Sequence, residues 1–188
     1  MADPSPSWSQ ERYLAALRFA AERHEGQTVP GTSLPYLMHV TSVAMEVMGA
    51  LGVESVSDPD TAVQCALLHD VVEDTPTTVE EVIARFGPTV AAGVDALSKR
   101  ASAGPTKAER MADSLERIRL QPHEVWMVKL ADRITNLQRP PAHWSQDKCT
   151  KYRAEAVTIL EVLSPASPYL ARRLQAKIRD YAPYTALA

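Results

Sequence analysis

The amino-acid sequence predicts an all-α domain, and three observations carry that expectation. Every long segment repeats its apolar residues at helical period, and none alternates apolar and polar as a half-buried strand does. Pro, Gly and Ser/Thr fall between these segments at helix-length intervals, where they start and stop helices. Gly is scarce, at 7 of 188 residues, and β-branched runs are short, too little turn chemistry for a sandwich or barrel.

The first helix is expected from about Ser9 to Glu25, with Leu14, Leu17, Phe19, Ala20 and Ala21 forming its apolar face. Gly26 to Pro35, which holds Pro30 and Gly31, is a loop, and a second helix covers about Met38 to Leu51. Asp58-Pro59 has the form of an N-cap followed by Pro at the first helical position, opening a helix to about Val72. Thr77-Thr78-Val79-Glu80 has capping-box spacing, and Gly87 is the matching stop. Pro88 to Leu97 is a short apolar helix, and Ser98 to Pro105 an exposed basic-polar loop. Thr106 to Leu120 is amphipathic, and Pro122 starts a helix that reaches about Gln138. After Pro140-Pro141, the segments Ser145 to Leu163 and Pro168 to Tyr181 complete the set. No repeat, low-complexity tract or linker divides the chain. It is read as one domain over residues 1–188, with a core from about 10 to 181 and a flexible N-terminus over 1–8.

Composition narrows the function classes. Apolar residues at 45% and charged residues at 23% are globular proportions, which removes wholesale disorder. A net charge of −3 provides no basic field for nucleic acid. No apolar stretch approaches the ~18 residues of a membrane span, and even Val43–Val53 is interrupted by Glu46. The N-terminus lacks both the basic start and the apolar run of a signal peptide. Two cysteines in unrelated contexts, Cys65 and Cys149, fit a reducing cytoplasm better than a disulfide framework.

Chemistry is carried by polar groups embedded in apolar helical text. The run Ala66-Leu67-Leu68-His69-Asp70-Val71-Val72-Glu73-Asp74 puts an imidazole and three carboxylates where core residues belong. On a continuous helix these four would fall within an arc of about 140°. Burying them without compensation would cost several kcal/mol each, so a divalent cation is the economical explanation. His39, after Pro35-Tyr36-Leu37-Met38, and Asp132, in Val128-Lys129-Leu130-Ala131, could complete such a site. Two His and two Asp form a mixed N/O donor set suited to Mn²⁺, Fe²⁺, Co²⁺ or Zn²⁺. Asn136, one turn beyond Asp132, is placed to hydrogen-bond a substrate. Taken singly, each residue has a plainer reading: His39 as a solvated or capping group, Asp132 with Arg133 as a surface pair, Glu73-Asp74 as a helix end. Their joint occurrence in apolar surroundings favours the metal.

So assembled, the sequence resembles the HD-domain metal phosphohydrolases, and among them the (p)ppGpp hydrolase domain of the RelA/SpoT family and the stand-alone small alarmone hydrolases. The likeness rests on Leu34-Pro35-Tyr36-Leu37-Met38-His39, on His69-Asp70-Val71-Val72-Glu73-Asp74-Thr75, on Phe86-Gly87 and on Lys129-Leu130-Ala131-Asp132-Arg133 through Leu137, and it spans roughly residues 10 to 180. It implies a helical bundle of about eight to ten helices. It implies one Mn²⁺ per chain on His39, His69, Asp70 and Asp132, attacking water handled by Glu73 and Asp74, and ribose contact by Asn136. The expected reaction is removal of a 3′-pyrophosphate from an alarmone nucleotide. The expected partner is a small nucleotide, with no nucleic acid and no membrane. Exposed helices could support a homodimer, and the role could be housekeeping turnover or antidote to an alarmone synthetase.

Trp144, Lys148 and Tyr152 recur every four residues on one helical face. Similar residues face the nucleotide in small alarmone hydrolases; packing aromatics with a solvated Lys are an equally simple reading. Ser98-Lys99-Arg100 and Lys107 could attract phosphates, although a solvated charge run is the plainer explanation. One departure concerns specificity. Guanine-specific members carry an Arg-Lys pair in the loop before the Pro-Tyr segment, whereas here Glu25 to Ser33 holds no cation. That opens (p)ppApp or NADPH as substrates beside (p)ppGpp, and a non-catalytic nucleotide sensor as an alternative of another class.

Overall fold

Two helices with almost no face left to solvent form the centre of the molecule. In the computed structural model, which describes residues 8–100, 104 and 106–185, the helices are α1 (Gln10–Arg23), α2 (Leu37–Leu51), α3 (Pro59–Leu68), α4 (Val71–Asp74), α5 (Val79–Phe86), α6 (Pro88–Leu97), α7 (Lys107–Arg119), α8 (His123–Asn136), α9 (Gln146–Leu163) and α10 (Pro168–Asp180). Residues Thr61 through Leu68 of α3 are all buried, as are Met127 through Ile134 of α8. A helix buried all round needs neighbours on every side. α8 finds them in α2, α3, α6, α7, α9 and α10, while α1 and α2 cover α3. Among the described residues the only β pairing is an isolated bridge between Thr28 and Pro35, so the all-α expectation holds.

The helix starts follow local side-chain chemistry. Ser9, Asp58, Thr106, Ser145 and Ser167 each accept from a backbone N–H three residues on, caps worth about 1 kcal/mol apiece. Gly87 takes φ 85°, ending α5 and leading directly into Pro88 at the first position of α6. The loop before α2 is a small hairpin. Val29-Pro30-Gly31-Thr32 closes with a Thr32 N–H to Val29 carbonyl bond of 3.0 Å, and Gly31 supplies the positive φ of 79° that this turn requires.

Three expectations need correction. The helix opened by Pro59 does not run to Val72: it ends at Leu68, and His69-Asp70 form a turn before α4. His69 Nδ1 donates to the Ala66 carbonyl at 2.8 Å, and Asp70 adopts φ −105°, ψ −2°, in the sparsely populated bridge region. The cap of α5 is Thr78, one residue later than the Thr77 frame, and Glu81 pairs with Arg23 instead of closing a box. The full capping box belongs to α7, between Thr106 and Glu109. Finally, Ser98 and Lys99 are not on a solvated loop: Ser98 is buried and Lys99 bonds Glu73. The N-terminal residues 1–7, loop residues 101–103 and 105, and the side chain of Lys107 lie outside the described residues.

Helices α3, α6 and α8 approach closely at Gly93. A Cβ there would lie 2.8 Å from Cys65 Sγ and 2.9 Å from Val125 Cγ2, two short buried side chains with no room to turn away. Gly93→Ala gains about 1 kcal/mol of helix propensity but overpacks a rigid core, which costs more. The expected net loss is about 1–2 kcal/mol, read as a lower urea midpoint with an unchanged m-value.

Candidate active site

The site forms where α2, the α3–α4 turn and α8 meet. His39, one turn into α2, turns its Nε2 toward His69 Nε2 at 3.3 Å. Asp70 Oδ2 lies 2.9 Å from His69 Nε2 and 3.6 Å from His39 Nε2. Ligand atoms of His39, His69 and Asp70 all fall within 4.8 Å of one another, a spacing that could hold a metal ion. Asp132 reaches the same point from α8, its Oδ1 3.6 Å from His39 Nε2 and 3.8 Å from His69 Nε2.

The donors fit a divalent cation chemically. His69 donates its Nδ1 proton to the Ala66 carbonyl, which fixes the ring with Nε2 directed at the cluster. Two imidazole nitrogens facing each other at 3.3 Å, flanked by two carboxylates, are a site of strong negative potential. Burial opposes charge on His69, but Asp70 and Asp132 outweigh it and lift the imidazole to about 9. Burial likewise works against Asp132, yet Lys129 and His69 bring its carboxyl down to about 2. Asp70 is also held well below the carboxylate range, with His69, His39 and Tyr36 together overcoming its burial. The two carboxylates therefore draw positive charge to His69 Nε2, a charge that a bound divalent cation would supply in place of a proton.

Of the other expected residues, Asp74 stands exposed beside the cluster and is linked to it by Tyr36. The Tyr36 hydroxyl donates to Asp70 Oδ2 at 2.5 Å and lies 3.4 Å from Asp74 Oδ2. Burial, then Asp70 and Glu73, raise the Asp74 carboxyl above its usual value. Glu73 is turned to the far wall, where Lys99 donates both its backbone N–H (2.7 Å) and its ammonium (2.8 Å) to the carboxylate. Asn136 donates to Asp132 Oδ1 at 2.5 Å rather than standing free. Trp144 precedes α9 rather than lying on its face, yet its ring meets Tyr152 edge to face at 5.2 Å between centroids and Lys148 Nζ lies 4.0 Å from its centre, so the three side chains cluster.

Two cavities adjoin here. The smaller, about 210 Å³, is polar and bounded by Asp70, Asp74, Lys99, Lys129, Asp132 and Arg133. The larger, about 660 Å³, is bounded by His39, Glu46, the Val29–Leu34 hairpin and Trp144. Asn136 and Tyr152 line both. The hairpin is tied to the chemistry, because Gln27 Nε2 donates to the Asp74 carbonyl at 2.9 Å.

Sequence reasoning did not single out Tyr36, Lys129 or Arg133, and it read Lys99 only as a phosphate attractor or a solvated charge, without its bond to Glu73. Lys129 had a local signal: three residues before Asp132 in an apolar run, its buried ammonium donates to Asp132 Oδ2 at 3.1 Å. Arg133 stacks its guanidinium 4.4 Å over the Tyr152 ring and keeps buried Nε and Nη1 donors without hydrogen-bond partners. Lys99 had none, because its bond to Glu73 spans 26 residues.

Comparison with known proteins agrees with this geometry. The HD-domain family matches residues 16–166. A zebrafish protein, guanosine-3′,5′-bis(diphosphate) 3′-pyrophosphohydrolase MESH1, is 34% identical over 86% of this chain and 89% of its own. The human protein of the same name is 32% identical over 86% of this chain and 90% of its own. An Aquifex aeolicus guanosine-3′,5′-bis(diphosphate) 3′-pyrophosphohydrolase is 36% identical over 68% of this chain, which corresponds to 18% of that longer enzyme. A solved structure of a metazoan ortholog of SpoT that hydrolyzes ppGpp superposes with a TM-score of 0.78 at 26% identity, covering 96% of this chain and 98% of that one. This chain belongs to the HD-domain family.

Proposed function

We propose that the protein is a metal-dependent hydrolase that removes the 3′-pyrophosphate of an alarmone nucleotide, ppGpp being the substrate class its relatives are named for. The observation that carries this reading is the convergence of His39, His69, Asp70 and Asp132 between a small polar cavity and a larger one of nucleoside size. The relatives' activity makes the NADPH and sensor readings less economical. His39, His69, Asp70 and Asp132 would hold one cation, with Mn²⁺ preferred and Fe²⁺, Co²⁺ or Zn²⁺ compatible with the donor set. Bound there, a divalent ion would acidify a water molecule, polarise a phosphoryl oxygen and offset developing charge.

The chain's own residues supply the rest. Tyr36 fixes the orientation of Asp70 and holds Asp74 beside it, so Asp74 is positioned to take the proton of the attacking water. Glu73 already has both oxygens engaged by Lys99 and orients this wall of the cavity instead. Lys99 and Arg133 concentrate positive charge where the pyrophosphate would leave, and the unpartnered Arg133 donors are suited to phosphoryl oxygens. The ribose would sit at Asn136, with Trp144, Lys148 and Tyr152 forming the outer wall.

Incubating the purified protein with ppGpp and Mn²⁺ should release pyrophosphate, and chelation should stop the release until Mn²⁺ is restored. Silence with metal bound would remove the alarmone assignment. Asp132→Ala should weaken Mn²⁺ binding by more than about 100-fold in calorimetry, since even outer partners of metal ligands cost 10–100-fold. Asp74→Asn should keep metal affinity and lower kcat by about 10²–10⁴, a larger loss than Glu73→Gln. The opposite ranking would exchange the two roles.

A further inference from the structure

We infer that Lys177 on α10 binds the 5′-phosphates of the nucleotide, so that the large cavity favours substrates phosphorylated at both ends of the ribose. The inference rests on the alarmone reading above. Of the cations around the site, Lys99, Lys129 and Arg133 border the small cavity, and Lys148 lines a groove between α7 and α9. The large cavity is lined by Arg139 and Lys177, and by one carboxylate, Glu46. Arg173 covers that carboxylate, donating Nε to one oxygen and Nη2 to the other, which offsets its charge before any ligand arrives. Among the described residues, neither Arg139 nor Lys177 has a hydrogen-bond or ion-pair partner for its side chain. Asp180, three residues after Lys177, is exposed and pairs with neither. Two cations thus face a space whose lining carboxylate is already engaged, and such a space attracts an anion.

The packing of α10 on α2 places Lys177 at the right distance from the metal end. The two helices run antiparallel, and three contacts fix their register: the Tyr169 N–H donates to Glu54 at 2.6 Å, the Tyr169 ring lies against Gly49, and Arg173 meets Glu46. One turn further along α10, Lys177 comes level with Ser42 and Met45, which line the same cavity. Ser42 lies three residues after His39, about 4.5 Å along the α2 axis. That is close to the span of one ribose from its 3′ to its 5′ oxygen. A nucleotide with its 3′-pyrophosphate at the His/Asp cluster and its ribose at Asn136 therefore directs its 5′ oxygen toward Lys177. From α9, Arg153 Nε donates to the Ile178 carbonyl at 3.0 Å, so this stretch of α10 is held from both sides. Arg139, exposed three residues beyond Asn136, adds to the positive field from the rim. Lys177 also stands in the last turn of α10, where a cation complements the helix dipole. That role acts on stability alone and is blind to the ligand.

The test uses Mn²⁺-loaded protein and ligands that differ only at the 5′ position. In calorimetry, wild type should bind guanosine 3′,5′-bisphosphate about tenfold tighter than guanosine 3′-monophosphate, the worth of one hydrogen bond to a charged group. Equal affinities overturn the proposal, and this arm needs no variant to fold. In Lys177→Gln the advantage should shrink to about twofold or less, while affinity for the 3′-monophosphate and the thermal midpoint hold. Lys177→Arg should restore it. An equal loss for both ligands marks a structural role and overturns the proposal. So does an advantage erased by Arg139→Gln but kept by Lys177→Gln. In the second arm, pyrophosphate release is compared for ppGpp and guanosine 3′-diphosphate. Lys177→Gln should raise KM for ppGpp about tenfold at unchanged kcat, and leave kcat/KM for guanosine 3′-diphosphate as in wild type. 5′-Phosphate-dependent binding without release from either nucleotide would discard the reaction and retain the phosphate reader. Release from both at equal kcat/KM would retain the reaction and discard the reader.

Discussion

Asp132 enters the core on a helix whose middle residues have no access to water, and that burial sets the conditions for everything around it. A carboxylate in such a place is sustained only by opposite charge and hydrogen bonds in fixed positions. Lys129 supplies an ammonium from the preceding turn, Asn136 an amide from the following one, and His39 and His69 face it from α2 and from the turn after α3. Glu124, also buried on α8, is accommodated in the same manner, accepting the Asp58 N–H at the start of α3, whereas Arg133 is stacked on the Tyr152 ring with two donors left over. The surrounding helices therefore have a polar task as well as an apolar one. Each must bring a specific group to α8 while closing its hydrophobic surface.

This arrangement explains which parts of the molecule could be read from the sequence. His39, His69, Asp70 and Asp132 stand out because a polar residue in an apolar helical run is expensive, and that cost is visible locally. Most helix limits were legible for the same kind of reason: Asp58-Pro59, Gly87, Ser145 and Pro168 act through their own backbone neighbourhood. The break at His69-Asp70 was hidden because periodicity continues smoothly across it. What ends α3 is a side-chain bond back to Ala66 and the open φ of Asp70, neither of which changes the pattern of apolar residues. Thr77 and Thr78 are equivalent as letters, and only the placement of Glu81 against Arg23 decides between them. Lys99 and Tyr36 gain their roles from partners far along the chain, information that spacing does not contain.

The site also joins rigid and adjustable parts. Its His and Asp groups sit on α2, α8 and the turn between α3 and α4, where small displacements are resisted by a dense core. The wall of the larger cavity is formed partly by a short hairpin whose shape depends on a Pro-Gly turn and whose attachment depends on Gln27. The hairpin reaches the Asp74 backbone through that one amide. A change in the hairpin can therefore be felt at Asp74, beside the His/Asp cluster, without any rearrangement of the helices.

Tyr152 occupies an unusual position in this scheme, since its ring borders both cavities while carrying Arg133 on one side and meeting Trp144 on another. Its residue type is consequently answerable to several demands at once. A substitution that improved the fit of a new base or sugar would also alter the cover over Arg133 and the polar cavity behind it. Evolutionary change of substrate in this scaffold should therefore be pleiotropic when it passes through α9. It should proceed more freely through Ser42 and Met45, which line the larger cavity from α2 beyond His39 and belong to neither the His/Asp cluster nor the hairpin.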